Sequence, residues 1–238
     1  MSNLEIQEVP LSSSVFREEA ERFLLSNALR LEKLDLLLAV TGEKGEMLAC
    51  GGLASDVLKC IAVSPQARSE GVSACLVSRL ISEASARGFK HQKVFTKPEN
   101  EGIFVSFGFH TIARAPLAIL MENGNALEEY CAYLREHRAE GVIIMNANPF
   151  TVGHRYLVQR AASEVSRLAV IAVREDLSLF PYAERLQMLR AGCEDIADVL
   201  EGSAYQISAA TFPSYFLKDL NDAAQTQMRL DIDLFGTH

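Results

Sequence analysis

Hydrophobic and polar positions follow one pattern up to about residue 122 and another beyond residue 139. In the first part, apolar residues at helical spacing alternate with short apolar runs bounded by turn residues, which predicts helices and strands in mixed order. The predicted strands are 35–40, 47–54, 57–63, 93–96 and 116–121. The predicted helices are 12–32, 73–86 and 103–107. This mixture predicts an α+β domain over residues 1–122.

A polar break and a charged helix over 126–138 follow, and we interpret residues 123–139 as a helical connector. Beyond the connector, continuous apolar runs alternate with amphipathic helices. The predicted strands are 141–147 and 168–173, and the predicted helices are 153–166 and 182–191. This βαβα order predicts a parallel sheet with right-handed crossovers over residues 140–238. The fold class is therefore a two-domain α/β protein.

Charge and composition exclude several classes of partner. With a formal net charge of −8 over 238 residues, the chain has no broad basic face with which to bind a nucleic acid. No apolar run is long enough to cross a membrane, and the first residues lack the features of an export signal. The 5 cysteines are scattered and form no C-x-x-C pair, so we predict that they are unbridged thiols and bind no metal. Unbridged thiols are typical of the reducing cytoplasm, which is the predicted location of the protein.

The loop after the first strand of the second part carries the candidate chemistry. Parallel α/β sheets bind ligands beyond the carboxyl ends of their strands, where this loop leads into a helix. Gly153 lets a phosphate approach the helix N-terminus, and Thr151 and His154 could donate hydrogen bonds to phosphate oxygens. The structural alternative makes Thr151 an N-cap and His154 a surface residue. The position after a buried strand, with Asn148-Pro149-Phe150 before it, favours the functional interpretation.

Several segments of the second part together resemble one protein family. Thr151-Val152-Gly153-His154 is similar to the T/H-x-G-H signature of nucleotidyltransferases with a Rossmann-like fold. Longer stretches resemble the citrate lyase ligases in order and spacing, namely 146–157, 174–182 with Arg185, 202–203 and 207–216. The resemblance extends into the first part and so covers essentially the whole chain. It implies a Rossmann-like nucleotidyltransferase domain in the second part.

The first part resembles the GCN5-related N-acetyltransferase fold. Segment 63–73 is similar to the pyrophosphate-binding turn of that fold, and segment 104–109 to its late helix and Gly-Phe turn. Arg68, Gly71 and Ser73 would then contact a coenzyme-A-like arm, held by a glycine-bearing loop and a helix N-terminus. Ser73 departs from the glycine or alanine that is usual there. Two interpretations stay open: a site for such an arm, or a retained fold whose site is degenerate.

The citrate lyase ligase resemblance also implies an activity. ATP and acetate would give acetyl-adenylate and pyrophosphate, and the acetyl group would pass to the thiol of a prosthetic arm on the acyl carrier subunit of citrate lyase. His154 and Thr151 would be the catalytic residues at the triphosphate, with Mg²⁺ bridging phosphates. The residues that would bind ATP are Asn146, Asn148, Pro149, Phe150, Gly153, Asp176, Arg185, Gly202 and Ser203. For Arg185, a place on the helix surface is an equal alternative.

The chain ends inside the part that resembles the middle of the nucleotidyltransferase domain. Citrate lyase ligases continue into a further parallel-sheet segment and a late Ser-x-Ser-x-x-Arg motif, which this sequence lacks. We therefore expect a second domain that is incomplete at its C-terminus and impaired in activity. The alternatives are a module that binds ATP or the carrier protein without turnover, and a different adenylyltransferase or acetyltransferase.

Overall fold

The computed structural model describes residues 5–68, 71–174, 178–206, 212–217 and 219–236. Contacts between residues divide the chain into two compact units. The first unit comprises Met1–Asn125 with Pro213–His238, and the second comprises Ala126–Phe212. The segment beyond residue 212 therefore belongs with the first unit in space. The sequence pattern groups that segment with the second domain instead.

The described residues form strands and helices in the following order along the chain. The strands are β1 Glu5–Glu8, β2 Leu36–Thr41, β3 Met47–Ala54, β4 Val57–Val63, β5 Gln92–Thr96, β6 His110–Arg114, β7 Ile119–Asn123, β8 Gly141–Met145, β9 Leu168–Ala172 and β10 Asp198–Glu201. The α-helices are α1 Ser14–Ser26, α2 Val72–Ala86, α3 Glu101–Val105, α4 Ala126–Glu136, α5 Val152–Ala162, α6 Tyr182–Cys193 and α7 Leu220–Gly236.

The first unit is built on a seven-stranded mixed sheet in the order β1-β2-β3-β4-β5-β7-β6. Its neighbouring strands are antiparallel except β4 and β5, which run parallel and pair only at Val57–Lys93 and Leu58–Val94. The predicted mixed α+β organisation is confirmed. Strands β1 and β6 were not predicted because both are short and mostly polar, so neither presents an apolar run.

Helix α1 ends at Ser26, earlier than the predicted residue 32. Ala28 adopts a left-handed φ of 57°, and the N–H of Leu29 bonds back to the Leu24 carbonyl at 2.9 Å. This geometry closes the helix. The apolar spacing continues through Leu31, so the pattern alone gives no sign of the stop.

The core of the first unit lies between α2 and the sheet. Its buried members include Leu36, Leu38, Val40, Leu53, Leu58, Leu76, Leu80, Val94, Ile119 and Met121. Each such side chain stabilises the fold by about 1.5–3 kcal/mol relative to exposure. Helix α7 packs against β6, where the Arg114 N–H donates to Asp233 Oδ2 at 2.8 Å and Leu230 and Leu234 are buried.

The second unit is built on a parallel sheet in the order β10-β9-β8. Met145 of β8 and Glu201 of β10 both pair with Ala172, so the three carboxyl ends share one edge. Helices α5 and α6 cover one face of the sheet, and α4 covers the other. The predicted parallel βαβ order is confirmed, with β10 as a strand that the sequence pattern missed. The helix predicted as a connector packs on this sheet because Tyr133 and Leu134 cover its second apolar face.

The five cysteines are all free thiols, and four of them are buried. Burial raises the pKa of the Cys60 thiol to about 11, which keeps it protonated at neutral pH. Among the helices in the described ranges, none is long and apolar enough to cross a membrane.

The carboxyl group of Asp231 on α7 should make the stability of the first unit depend on pH. Burial raises its pKa from the ordinary 3.8 to about 7, and a hydrogen bond from Gln227 Nε2 at 2.6 Å opposes the shift. The folded state therefore favours the protonated carboxyl. Its contribution to stability is complete below about pH 4 and is lost as the pH rises through about 7.

We predict that Asp231→Asn becomes progressively more stable, relative to the unchanged protein, as the pH rises from about 4 to about 8. Asparagine keeps the shape of the side chain but cannot ionise, so it avoids the cost of burying a charge. Urea unfolding of both proteins across this range measures the difference in the free energy of unfolding. A difference that does not change with pH would contradict the raised pKa of Asp231.

Candidate functional site

The loops that follow β8, β9 and β10 meet at the carboxyl edge of the parallel sheet of the second unit. The structure thereby brings together most of the residues predicted to bind ATP. Those described at this edge are Asn146, Asn148, Pro149, Phe150, Thr151, Gly153, His154, Arg185, Gly202 and Ser203. Asp176, which was also predicted, lies outside the described residues.

Thr151 and His154 form a capping box at the start of α5. Thr151 Oγ1 accepts the backbone N–H of His154 at 3.4 Å, and His154 Nδ1 accepts the backbone N–H of Thr151 at 3.0 Å. Because Nδ1 acts as an acceptor, the proton of the neutral imidazole lies on Nε2. Within the described residues, no protein group bonds to Nε2. The cap therefore fixes both the tautomer and the orientation of the ring.

The first turn of α5 is open. Val152 is 86% exposed, and a Cβ atom built on Gly153 would meet only Thr151 Oγ1, at an ordinary 3.6 Å. Internal packing in the described fold therefore gives no reason for glycine at this position. The cap pairs the N–H groups of Thr151 and His154 only. The other N–H groups of a first helical turn, with the partial positive charge of the helix start, suit an anion. The geometry thus leaves room for a phosphate where the sequence predicts one.

Phe150 packs beneath the cap and forms one wall of the site. Its ring stacks on the His154 imidazole, with centroids 5.7 Å apart and planes inclined by 24°. On its other side it approaches Gly192 of α6 so closely that a Cβ there would lie 2.3 Å from a ring carbon. Asn148 joins this wall to the next loop, because its Oδ1 accepts the backbone N–H of Phe180 at 3.0 Å.

Arg185 has a fully buried side chain with 0% exposure. Its guanidinium donates to the carbonyls of Asn146 and Val173 at 2.9 Å each and to that of Phe180 at 3.0 Å. It also donates to Asn146 Oδ1 at 2.7 Å. Arg185 is thus not a helix-surface residue, and the bonds described for its guanidinium are to the protein itself. Its hydrogen bonds connect the loop that follows β8 with the loop that follows β9.

Gly202 and Ser203 follow β10 and form another wall of the site. A Cβ on Gly202 would lie 1.9 Å from the Ala172 carbonyl oxygen, so this close passage of two backbones requires glycine. The Ser203 hydroxyl donates to Gln206 Oε1 at 2.7 Å and accepts the Tyr205 N–H at 3.2 Å. These contacts hold the loop in shape. Both residues line the edge, but their described bonds are internal.

Arg174 is a cation at this edge that sequence reasoning left out of the predicted site. Its side chain is exposed just beyond β9, and its guanidinium carbon lies 5.7 Å from the centre of the Tyr182 ring. This distance is within the range of a cation–π contact. The sequence could have indicated Arg174 by its position, because it is the first charged residue after an apolar strand that ends at the predicted site.

The first unit contains a separate cavity of about 500 Å³. Arg68 and Ser73, two of the residues predicted to contact a coenzyme-A-like arm, line it. The third, Gly71, begins α2 with a left-handed φ of 71° and has open space where a Cβ would project. The other residues that shape the cavity include Ile61, Val63, Val77, Lys97, Asn100, Phe104, Tyr215 and Phe216.

Comparison with known proteins gives consistent sequence matches. The family described as the citrate lyase ligase C-terminal domain matches residues 140–238. The [citrate [pro-3S]-lyase] ligase of Haemophilus influenzae is 37% identical over 227 residues, covering 92% of this chain and 68% of that protein. The enzyme of the same name from Klebsiella pneumoniae is 41% identical over 92% of this chain and 66% of its own length. This chain therefore spans about two thirds of the length of these relatives.

Two solved structures each match about half of the chain. A protein from Klebsiella pneumoniae named as a putative acyl-CoA N-acyltransferase matches 52% of this chain and 98% of its own, with a TM-score of 0.42 and 19% identity. The ElaA protein of Escherichia coli matches 51% of this chain and 99% of its own, with a TM-score of 0.43 and 15% identity.

We predict that Arg185→Met destabilises the second unit by about 3 kcal/mol or more. Methionine fills much of the same volume but leaves buried carbonyls without donors, and each buried unsatisfied group costs about 1–3 kcal/mol. Urea unfolding followed by a probe in the second unit measures the loss. The matched control is Arg190→Met on the same helix, where partly exposed ion pairs with Glu194 and Glu201 contribute at most about 1 kcal/mol. Equal losses in the two variants would contradict the role given to Arg185.

Proposed function

The chain belongs to the citrate lyase ligase family, and on that premise we propose that it activates citrate lyase by acetylation. In this proposal, ATP and acetate are the substrates and acetyl-adenylate is the intermediate. The acetyl group ends on the thiol of a coenzyme-A-like prosthetic arm, carried by the acyl carrier subunit of citrate lyase. The free and mostly buried thiols of this chain suit a reducing cytoplasm, which is the compartment we propose.

The observation that carries the proposal is the capped imidazole of His154 beside an open helix start. Nδ1 is engaged by Thr151, so Nε2–H is the donor left for a ligand. Gly153 leaves the neighbouring backbone clear for an anion. A fixed donor next to free N–H groups is the arrangement that stabilises charge developing on phosphate oxygens, because it needs no reorganisation during the reaction.

In the first step, a carboxylate oxygen of acetate attacks the α-phosphorus of ATP and the bond to the β-phosphate oxygen breaks. Acetyl-adenylate forms and pyrophosphate leaves, with Mg²⁺ arriving as the metal complex of ATP. The protein contributes alignment and charge stabilisation rather than covalent chemistry. His154 Nε2 and the first turn of α5 would hold the phosphates, and Arg174 would bind the departing pyrophosphate. Asn146, Asn148 and Phe150 would shape the nucleotide pocket.

In the second step, the sulfur of the prosthetic arm attacks the acetyl carbonyl. The thiol loses its proton, AMP leaves, and a thioester forms on the carrier subunit. We propose that the cavity of the first unit binds this arm. Arg68 and Lys97 offer positive charge for its phosphate, and Ile61, Val77 and Phe104 offer apolar contact for its chain.

One assay separates this proposal from its alternatives. Exchange of labelled pyrophosphate into ATP is measured with and without acetate, and then with deacetylated carrier protein. Exchange that requires acetate, followed by addition of one acetyl group to the carrier, is the expected result. Exchange that requires a different acceptor would indicate another adenylyltransferase. Nucleotide binding without exchange would indicate a binding module.

We predict that Gly153→Ala weakens ATP binding at least about tenfold, because the added methyl group keeps the phosphate away from the backbone N–H groups. A tenfold loss corresponds to about one charge-assisted hydrogen bond. The new methyl group meets little protein, so the free energy of unfolding should stay unchanged or rise by up to about 1 kcal/mol. Calorimetric titration with ATP and thermal unfolding measure the two effects. Gly102→Ala at the start of α3, also free of close neighbours, is the control and should leave ATP binding unchanged. Unweakened ATP binding by Gly153→Ala would place the phosphates elsewhere.

We predict that His154→Asn lowers acetate-dependent exchange by about 10²–10³-fold, the usual cost of one preorganised donor. Asparagine can replace Nδ1 as the acceptor for Thr151 and so keep the cap, but it has no group at the position of Nε2. The melting temperature should therefore change little. His154→Gln, which reaches the position of Nε2 with an amide N–H, should retain more activity than His154→Asn. Near-normal exchange by the asparagine variant would rule out the role proposed for Nε2.

A further inference from the structure

Strands β4 and β5 of the first unit separate soon after they begin to pair. Their last paired residues are Leu58 and Val94, although β4 continues to Val63 and β5 to Thr96. Beyond that point, backbone groups that face the gap need partners other than the neighbouring strand. A gap of this kind between parallel strands is a site where an extended, amide-bearing chain could bond to the exposed backbone.

A residue of this same chain fills the gap. The Tyr215 hydroxyl donates to the Phe95 carbonyl of β5 at 3.0 Å, and the ring is buried, with 6% exposure. The Cys60 backbone of β4 lies near enough to the same hydroxyl to favour its ionised form, although burial raises the pKa of Tyr215 strongly. The phenol therefore lies between the two strands. It supplies a hydrogen-bond partner where β4 and β5 have stopped pairing with each other.

The segment that carries Tyr215, residues 213–217, is held in place by specific polar contacts. Arg30 Nη2 donates to the Ser214 carbonyl at 2.7 Å, and the Arg30 backbone N–H donates to the Tyr215 carbonyl at 3.0 Å. The Ser214 N–H donates to Glu32 Oε1 at 2.9 Å, and Glu32 pairs with Lys59 of β4 at 3.0 Å. These contacts attach the segment to β4 and to the chain that precedes β2.

The filled gap opens directly onto the cavity of the first unit. Tyr215 and Phe216 form part of the cavity wall, together with Ile61 and Val63 of β4 and Thr96 of β5. Arg68 and Ser73 line the same cavity near the start of α2. A ligand with a phosphate at Arg68 and an extended amide chain toward the strands would therefore meet Tyr215.

We propose that residues 213–217 act as an internal competitor, which occupies the gap between β4 and β5 and must be displaced when a phosphopantetheine-like thiol arm binds there. The proposal rests on the proposed function, in which the first unit holds such an arm. The amide groups of the arm and the Tyr215 hydroxyl compete for the same backbone partners. Binding of the arm is thus weakened by the cost of releasing the segment.

The test uses coenzyme A as the probe and calorimetric titration of the whole 238-residue chain. Tyr215→Phe keeps the buried ring but removes the competing hydroxyl, and Arg30→Ala weakens the hold on the segment without altering the gap. Each variant should bind coenzyme A about tenfold more tightly than the unchanged protein, the effect of one lost hydrogen bond. Tyr130→Phe, a tyrosine of the second unit that also donates to a carbonyl, is the matched control and should not change binding.

Arg68→Glu, combined with each variant, separates the two parts of the proposal. If Arg68→Glu abolishes binding and the two release variants tighten it, the competitor is supported. If Arg68→Glu abolishes binding but the release variants match the unchanged protein, the arm site stands and the competitor is overturned. If no variant binds coenzyme A, both the arm site and the competitor are overturned.

Discussion

The buried guanidinium of Arg185 joins the two loops on which the candidate site of the second unit depends. Strands of a parallel sheet end with carbonyls that have lost their ladder partners, and at this edge those of Asn146 and Val173 both turn to Arg185. A buried guanidinium with too few hydrogen-bond acceptors would greatly destabilise the fold. The two loops are therefore held in positions where their carbonyls can accept its hydrogen bonds. The position of Asn148, Phe150 and the start of α5 follows from this constraint.

The Thr151–His154 cap shows that the structural and functional interpretations of this motif are compatible. Thr151 is the N-cap of α5, as the structural alternative held. The same bonds fix the imidazole tautomer, and in the described part of the chain no protein group bonds to Nε2–H. His154 can thus help to cap its own helix through Nδ1 while Nε2 presents a fixed donor. This arrangement gives the proposed adenylyl transfer a preorganised group without a separate supporting residue.

Long apolar runs with glycine or proline at their ends made much of the fold predictable from the sequence. Strands β3 and β4 and the loop into α5 fall in this class, because local pattern decides them. Strands β1 and β10 are short and carry charges, so only pairing with a neighbour defines them. The burial of Arg185 and the insertion of Tyr215 depend on contacts between residues far apart in the chain. No local pattern in the sequence encodes such contacts.

The proposed attack of acetate on the α-phosphorus of ATP is tested most directly by an isotope measurement. The protein is incubated with ATP, deacetylated carrier protein and acetate labelled with ¹⁸O in its carboxylate. The masses of the products are then measured by mass spectrometry. Acyl transfer from acetyl-adenylate leaves one acetate oxygen on phosphorus, so AMP should carry a single ¹⁸O atom. Label in inorganic phosphate or pyrophosphate, with unlabelled AMP, would contradict the account.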